Sequence, residues 1–175
     1  MVQFLPETEP ENILPAFKRW VDEQGTLGAK LIIVDGLPGA GKSTLTSAAG
    51  EAGIDLDDYL PKAQTDGQTS WLDLVLAGGA MSAVRAKLSQ HNVIVVCGAQ
   101  ASPALEVIAG ELGSGAVRRV YIKRVTVHNG HTSWDDGTGL LEHAAASPPY
   151  FKSIYEHHGR EQPWSAADLV IERVD

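Results

Sequence analysis

The densest chemistry in this sequence lies in eight residues, "GLPGAGKS", at 36–43. They put Gly36, Gly41, Lys42 and Ser43 at the fixed positions of the spacing G-x-x-x-x-G-K-[ST]. Glycines let a backbone turn tightly enough for consecutive N–H groups to point inward at an anion. A helix that starts at the end of the loop adds its positive pole to the same spot. The backbone of residues 37–44 is therefore expected to cradle phosphates, which includes Leu37, Pro38, Gly39 and Ala40 with the motif residues. Lys42 is placed to reach β- and γ-phosphates, the Ser43 hydroxyl to ligate Mg²⁺, and Thr44 to donate near an α-phosphate. The bland alternative is a glycine-rich turn that binds nothing. The apolar run before the loop and the helix-compatible run after it argue for the phosphate reading.

A second constellation is acidic. In "GIDLDDYL", 53–60, Asp55 and Asp57 alternate at the end of a short expected strand. That spacing puts both carboxylates on one side of a strand, at the sheet edge where ligands collect in open α/β folds. One carboxylate there can orient or deprotonate a hydroxyl while the loop holds a phosphate in line. The competing reading is that these acids cap a helix or solvate a turn.

The elements that must position these residues follow from periodicity. Residues 13–24 place Ile13, Phe17, Trp20 and Val21 on one helical face, with Pro15 tolerable in a first turn and Gly25 as a stop. The first strand is expected at 31–35, and a helix from Gly41 or Lys42 to near Gly50. A long helix is expected over 69–90, since Leu72, Leu76, Ala80, Val84 and Leu88 recur every four residues. "NVIVVCG" reads as a strand buried on both faces, "SPALEVIAGELG" as a helix with a Ser N-cap, and "VRRVYIKRVTV" as another strand. Residues 128–139 read as a polar loop, 148–158 as helical, and "ADLVIER" as the last strand. Strands alternating with helices point to a mostly parallel α/β sheet covered on both sides. One domain over 1–175 is expected, with 1–29 a helical extension and 30–175 the core.

Bulk composition narrows the partners. Fourteen basic against 22 acidic residues give a net charge of −8, which argues against nucleic acid or an anionic membrane surface. A single cysteine, Cys97, excludes an intrachain disulfide. The acidic stretch "MVQFLPETEPEN" does not read as a signal peptide, and no apolar run has spanning length. These features point to the cytoplasm.

No Asn-Lys-x-Asp guanine-reading motif is present, and the candidate strand "VIVVCG" ends in Cys97, where an ATP-driven motor needs an acid. Over residues 30–172 the chain resembles the small-molecule P-loop kinases, a group that includes uridine kinase, shikimate kinase and gluconate kinase. The resemblance rests on "GLPGAGKST", "IDLDDYL", "VIVVCG" and "ADLVIER". It implies a three-layer fold with a five-stranded parallel sheet in order 2-3-1-4-5, and ATP and Mg²⁺ as ligands. It also implies an acceptor-hydroxyl role for Asp57 and a part in organising Mg²⁺ for Asp55. The family's lid supplies arginines to the transferring phosphate, but residues 128–147 hold no Arg or Lys. Arg124 and Arg160 are the displaced candidates, against a default of surface solvation. The acid missing at Cys97 keeps a nucleotide-binding regulatory module in view as the alternative to a kinase.

Four weaker features remain. Trp71 either begins the apolar stripe or stacks on a planar substrate. His128 and His131, with Asp135 and Asp136, make a metal site imaginable in a loop without ligand geometry. Trp134 is a candidate lid residue. His157 and His158 read as a helix end, where a basic side chain suits the dipole.

Overall fold

A computed structural model describes residues 3–8, 10–61, 68–128, 131–133 and 138–174. Its sheet is built from β2 (Leu31–Asp35), β3 (Gly53–Asp55), β4 (Ile94–Gly98), β5 (Val117–His128) and β7 (Leu169–Val174). These five run parallel in the spatial order β3-β4-β2-β5-β7. Counted from residue 30, that is the order 2-3-1-4-5 expected above.

The sheet is wider than expected. Residues Gln3–Thr8 form β1, a further parallel strand that pairs β7, with Gln3 opposite Leu169 and Leu5 opposite Ile171. Pro6 hid it in the sequence, since proline cannot donate to a ladder. An edge strand tolerates that loss, and the register slips between Leu5 and Thr8, around Pro6. Helix α1 (Pro10–Thr26) starts earlier than expected, so Pro15 lies inside it rather than in its first turn. The N-terminal extension is thus a strand and a helix.

Strand alternation divides the core into two faces. Ile32 and Val34 of β2 meet Ile13, Phe17 and Trp20 of α1 and Leu45 of α2 (Lys42–Ser47). Leu31 and Ile33 face the other way, toward Trp71 and Val75 of α3 (Trp71–Ala77) and Val84 of α4 (Ala80–Gln90). Ala101 and Ala104 of α5 (Ala101–Ala104), Ile108 of α6 (Glu106–Leu112) and Ile154 of α8 (Pro149–Glu161) complete that second layer. Each such valine, leucine, isoleucine or phenylalanine side chain, when fully buried, contributes roughly 1.5–3 kcal/mol.

Three other expectations are corrected. The helix expected over 69–90 is two, broken at Gly78 and Gly79, where Gly79 adopts φ +81° and a left-handed residue ends helical propagation. A Cβ on Gly78 would also collide with the Tyr59 carbonyl, so the break is packed against the preceding turn. Leu76 consequently leaves the stripe and is 47 % exposed. Ser102 is not an N-cap, because α5 begins one residue before it. The polar stretch after β5 contains β6 (His131–Ser133), antiparallel to β5 with His131 opposite His128, and then α7 (Thr138–Ala146). Among the described residues no helix is long and apolar enough to cross a membrane.

Candidate functional site

The glycine loop leaves β2 at Asp35 and enters α2 at Lys42. A Cβ on Gly36 would stand 2.6 Å from the Ile122 carbonyl oxygen, so only glycine lets the chain turn this close to β5. Gly39 and Gly41 have φ of +79° and +101°, a region that side-chain-bearing residues rarely enter. The Ala40 N–H donates to the Leu37 carbonyl at 3.1 Å and closes the turn. Leu37 rests against the core and Ala40 is buried, while Pro38 is exposed and, lacking an N–H, only shapes the bend.

Lys42 is the unusual residue here, because lysines are seldom buried. It is 6 % exposed, and Nζ donates to the Leu37 carbonyl at 2.9 Å, inside the curl of the loop. Burial lowers its pKa. Asp57 is the leading charge opposing that shift, and Asp35 and Asp55 add to it. Ser43 and Thr44, on the outer side of the first turn, are exposed.

Two guanidinium groups approach the loop. Arg124 Nη1 lies 3.9 Å from the position a Cβ on Gly39 would take, which puts one expected residue beside the loop. Its register partner on β7 is Arg173, which sequence reasoning passed over at the end of "ADLVIER". Arg173 donates from Nη1 to the Ala40 carbonyl at 3.3 Å, and its guanidinium fills the space a Cβ on Gly41 would need. Nothing in that strand's sequence marked Arg173 out, since only the pairing with β5 brings it to the loop. Arg160 is elsewhere. It is bonded to Glu156 one turn back on α8 at 3.3 Å, with its side chain 66 % exposed.

The acidic corner differs from the expected strand pair. Only Asp55 belongs to β3, and Asp57 lies in the 3₁₀ turn Leu56–Tyr59 that follows. Asp55 caps that turn by accepting from the Asp57 N–H at 3.0 Å, so part of the turn-capping alternative is realised. The Asp57 carboxylate is otherwise engaged: Oδ1 accepts from the indole N–H of Trp71 at 2.7 Å. Burial raises the Asp57 pKa, the Trp71 hydrogen bond lowers it, and Asp55 raises it again. Trp71 itself is fully buried, which rules out the stacking role considered for it. Cys97, beside Asp55 in register, is a neutral buried thiol whose pKa burial pushes up to about 12. It is no substitute for a strand-end acid.

A buried polar network behind the loop was missed altogether. Asp35 accepts from the Ala101 N–H at 2.7 Å, the Ser102 N–H at 3.1 Å and the Ser102 hydroxyl. Burial raises its pKa despite these donors. His158 of α8 is fully buried, with Nε2 donating to the Ala99 carbonyl at 2.7 Å and Nδ1 accepting from the Tyr121 hydroxyl at 3.1 Å. Burial lowers its pKa to about 3, so it is neutral and does not serve the helix dipole as expected. The signal was weak because histidine at a helix end reads equally well as a surface cap.

Concavity alone would choose a different place. A groove of about 650 Å³ lies between α1 and the start of β4, lined by Phe17, Val21, Ala49, His91 and Val93 among others. A smaller cavity of about 260 Å³ adjoins the loop, lined by Ile13, Leu14, Gly41, Thr44, Leu45, Ile122 and Arg173. Among the described residues no cluster of three or more His, Cys, Asp or Glu can hold a metal. Trp134, Asp135 and Asp136 lie outside the described residues, as do the side chains of His128 and His131. Compared with known proteins, the chain matches no family model and no curated relative.

Proposed function

We propose that the chain is an ATP-dependent phosphotransferase acting on a hydroxyl of a small metabolite or nucleoside. The observation that carries this reading is a buried Lys42 held inside a curled glycine loop by the Leu37 carbonyl, with Asp57, one of whose oxygens is taken by Trp71, as the leading opposite charge acting on it. A lysine held in a glycine loop suits a transferring phosphoryl group, and a carboxylate at the same sheet edge suits the acceptor hydroxyl. Arg124 and Arg173 add positive charge at the loop. The apolar cavity beside Thr44 is of a size to take part of a ligand, such as a base, rather than a whole nucleotide.

Magnesium fits this site only as a partner of the nucleotide. Ser43 offers an exposed hydroxyl and Asp55 a carboxylate, and Mg²⁺ usually takes one or two protein ligands with phosphates and water completing its shell. When bound, it would neutralise charge on the phosphate oxygens.

The test pairs two variants. Lys42→Ala should weaken ATP binding measured calorimetrically with magnesium present, while Asp57→Asn should spare ATP binding and abolish transfer to any hydroxylated metabolite that stimulates ATP turnover. Normal transfer by Asp57→Asn would remove that residue from the mechanism. A second reading, an ATP-responsive regulatory module, is favoured by the neutral thiol of Cys97 at the end of β4. Tight ATP binding without stimulation by any metabolite in a panel would select it.

A further inference from the structure

We propose that Trp71 is the positioning residue of this site: its indole N–H fixes Asp57 Oδ1 and leaves Oδ2 as the oxygen that meets the acceptor. The inference rests on the phosphotransferase reading for its consequence, but not for its geometry. The 2.7 Å bond joins a neutral donor to a carboxylate, the stronger class of hydrogen bond. No described residue donates to Oδ2.

The indole has nowhere else to go. It is fully buried, and a Cβ on Gly98 would stand 2.7 Å from Cη2 and 2.9 Å from Cζ2, so the end of β4 is shaped around the ring. Its backbone is tied from two sides. Ser70 caps α3 by accepting from the Asp73 N–H, and the Trp71 N–H donates to the Ser153 hydroxyl of α8 at 3.4 Å. Ser153 is held in turn: its hydroxyl donates to the Tyr150 carbonyl at 2.9 Å, and Gln100 Nε2 donates to the Ser153 carbonyl at 3.1 Å. The orientation of Asp57 is thus set by α3, α8 and the turn after β4, although Asp57 sits on none of them.

The experiment compares the Trp71 indole ¹⁵N–H resonance of wild type with that of Asp57→Ala, with no nucleotide added. The resonance should lie downfield in wild type, where the N–H meets a carboxylate, and move upfield when that acceptor is removed. A resonance that stays in place overturns the proposal. In transfer assays Trp71→Phe should lower kcat by roughly tenfold or more while KM for ATP stays as in wild type, because the carboxylate is misplaced and the nucleotide is not. An unchanged kcat refutes positioning, and a matching rise in KM for ATP refutes it equally. Should Trp71→Phe fold poorly, the resonance comparison decides alone. The NMR measurement stands apart from the phosphotransferase reading, which fails on its own if wild type takes up no ATP.

Discussion

Asp35 and Asp57 occupy the same carboxyl edge of one sheet, and their carboxylates are held in opposite ways. Asp35 is 2 % exposed, and both its oxygens are occupied by donors from Ala101 and Ser102. Asp57 keeps an exposed side and takes one donor, the Trp71 indole. Both pKa values are raised by burial before all else. What separates them is saturation. A carboxylate whose acceptor sites are filled by its own chain is a structural joint, here between β2 and α5. One that keeps an exposed side and a single donor has acceptor capacity left for a ligand, which is the role proposed for Asp57.

The widest gap between the two corners should appear in stability. Asp35→Ala strands three donors at a buried joint, each worth about 1–3 kcal/mol. A loss of about 4 kcal/mol in urea unfolding is expected. Asp57→Asn leaves a carbonyl for the Trp71 indole and should cost less than about 1 kcal/mol. Transfer should reverse the ranking, with Asp57→Asn lowering it by roughly 10²–10⁴-fold. Equal stability losses would erase the distinction between joint and reagent.

Next in size is a pH effect on the closed corner. His158 is neutral when folded, with a pKa lowered to about 3 against about 6.5 in an unfolded chain. The unfolded state therefore binds the extra proton between those values. The contribution is complete above pH 6.5 and is lost as pH falls toward 3. Between pH 6.5 and 4 the loss should be about 3 kcal/mol. Asp35, with its raised pKa, acts with the opposite sign, so the comparison must be against His158→Gln, where Asp35 is unchanged. Gln retains a donor for the Ala99 carbonyl and has no proton to gain. The wild-type curve should fall more steeply with acid than that of His158→Gln, and parallel curves would remove His158 from the closed corner.

The same contrast explains what the sequence disclosed. Local signals sufficed for β2, β4 and the glycine loop, because an apolar run and a spaced set of glycines carry their meaning within a few residues. The order of the five core strands came with the family resemblance. Asp35, His158 and Arg173 gave no such signal. Each owes its role to a partner more than 30 residues away, in Ala101 and Ser102, Tyr121 and Ala99, or Ala40. Asp57 stands out by its spacing but reads as part of a strand, since a 3₁₀ turn and a strand end look alike in three residues. Gly78 and Gly79 were outvoted by a four-residue apolar period that runs straight through them. The strand β1 was concealed by its proline.

Smaller effects test how far the open corner extends along β5 and β7. Arg124 and Arg173 are register partners, and both reach the loop. Arg173→Ala also removes the bond to the Ala40 carbonyl, so it should weaken ATP binding more than Arg124→Ala. About tenfold against about threefold is expected, equivalent to about 1.4 and 0.7 kcal/mol. Calorimetric titration of the two variants checks the order. A larger effect at Arg124 would place the phosphate chain over Gly39 rather than Gly41.

The smallest effect belongs to Arg160, and its smallness is informative. An exposed pair one turn apart on a helix contributes about 0.3–0.5 kcal/mol and is screened by salt. Arg160 and Glu156 form such a pair on α8. Arg160→Ala should therefore change unfolding free energy by no more than about 0.5 kcal/mol and leave ATP affinity and transfer as in wild type. Ser153, on the same helix two turns earlier, is tied to Trp71, so α8 does contact the site, but through its buried face. If Arg160→Ala slows transfer while Ser153→Ala does not, the working face of α8 is the outer one. The helix would then close over the acceptor with its charged side instead of bracing the carboxylate from behind.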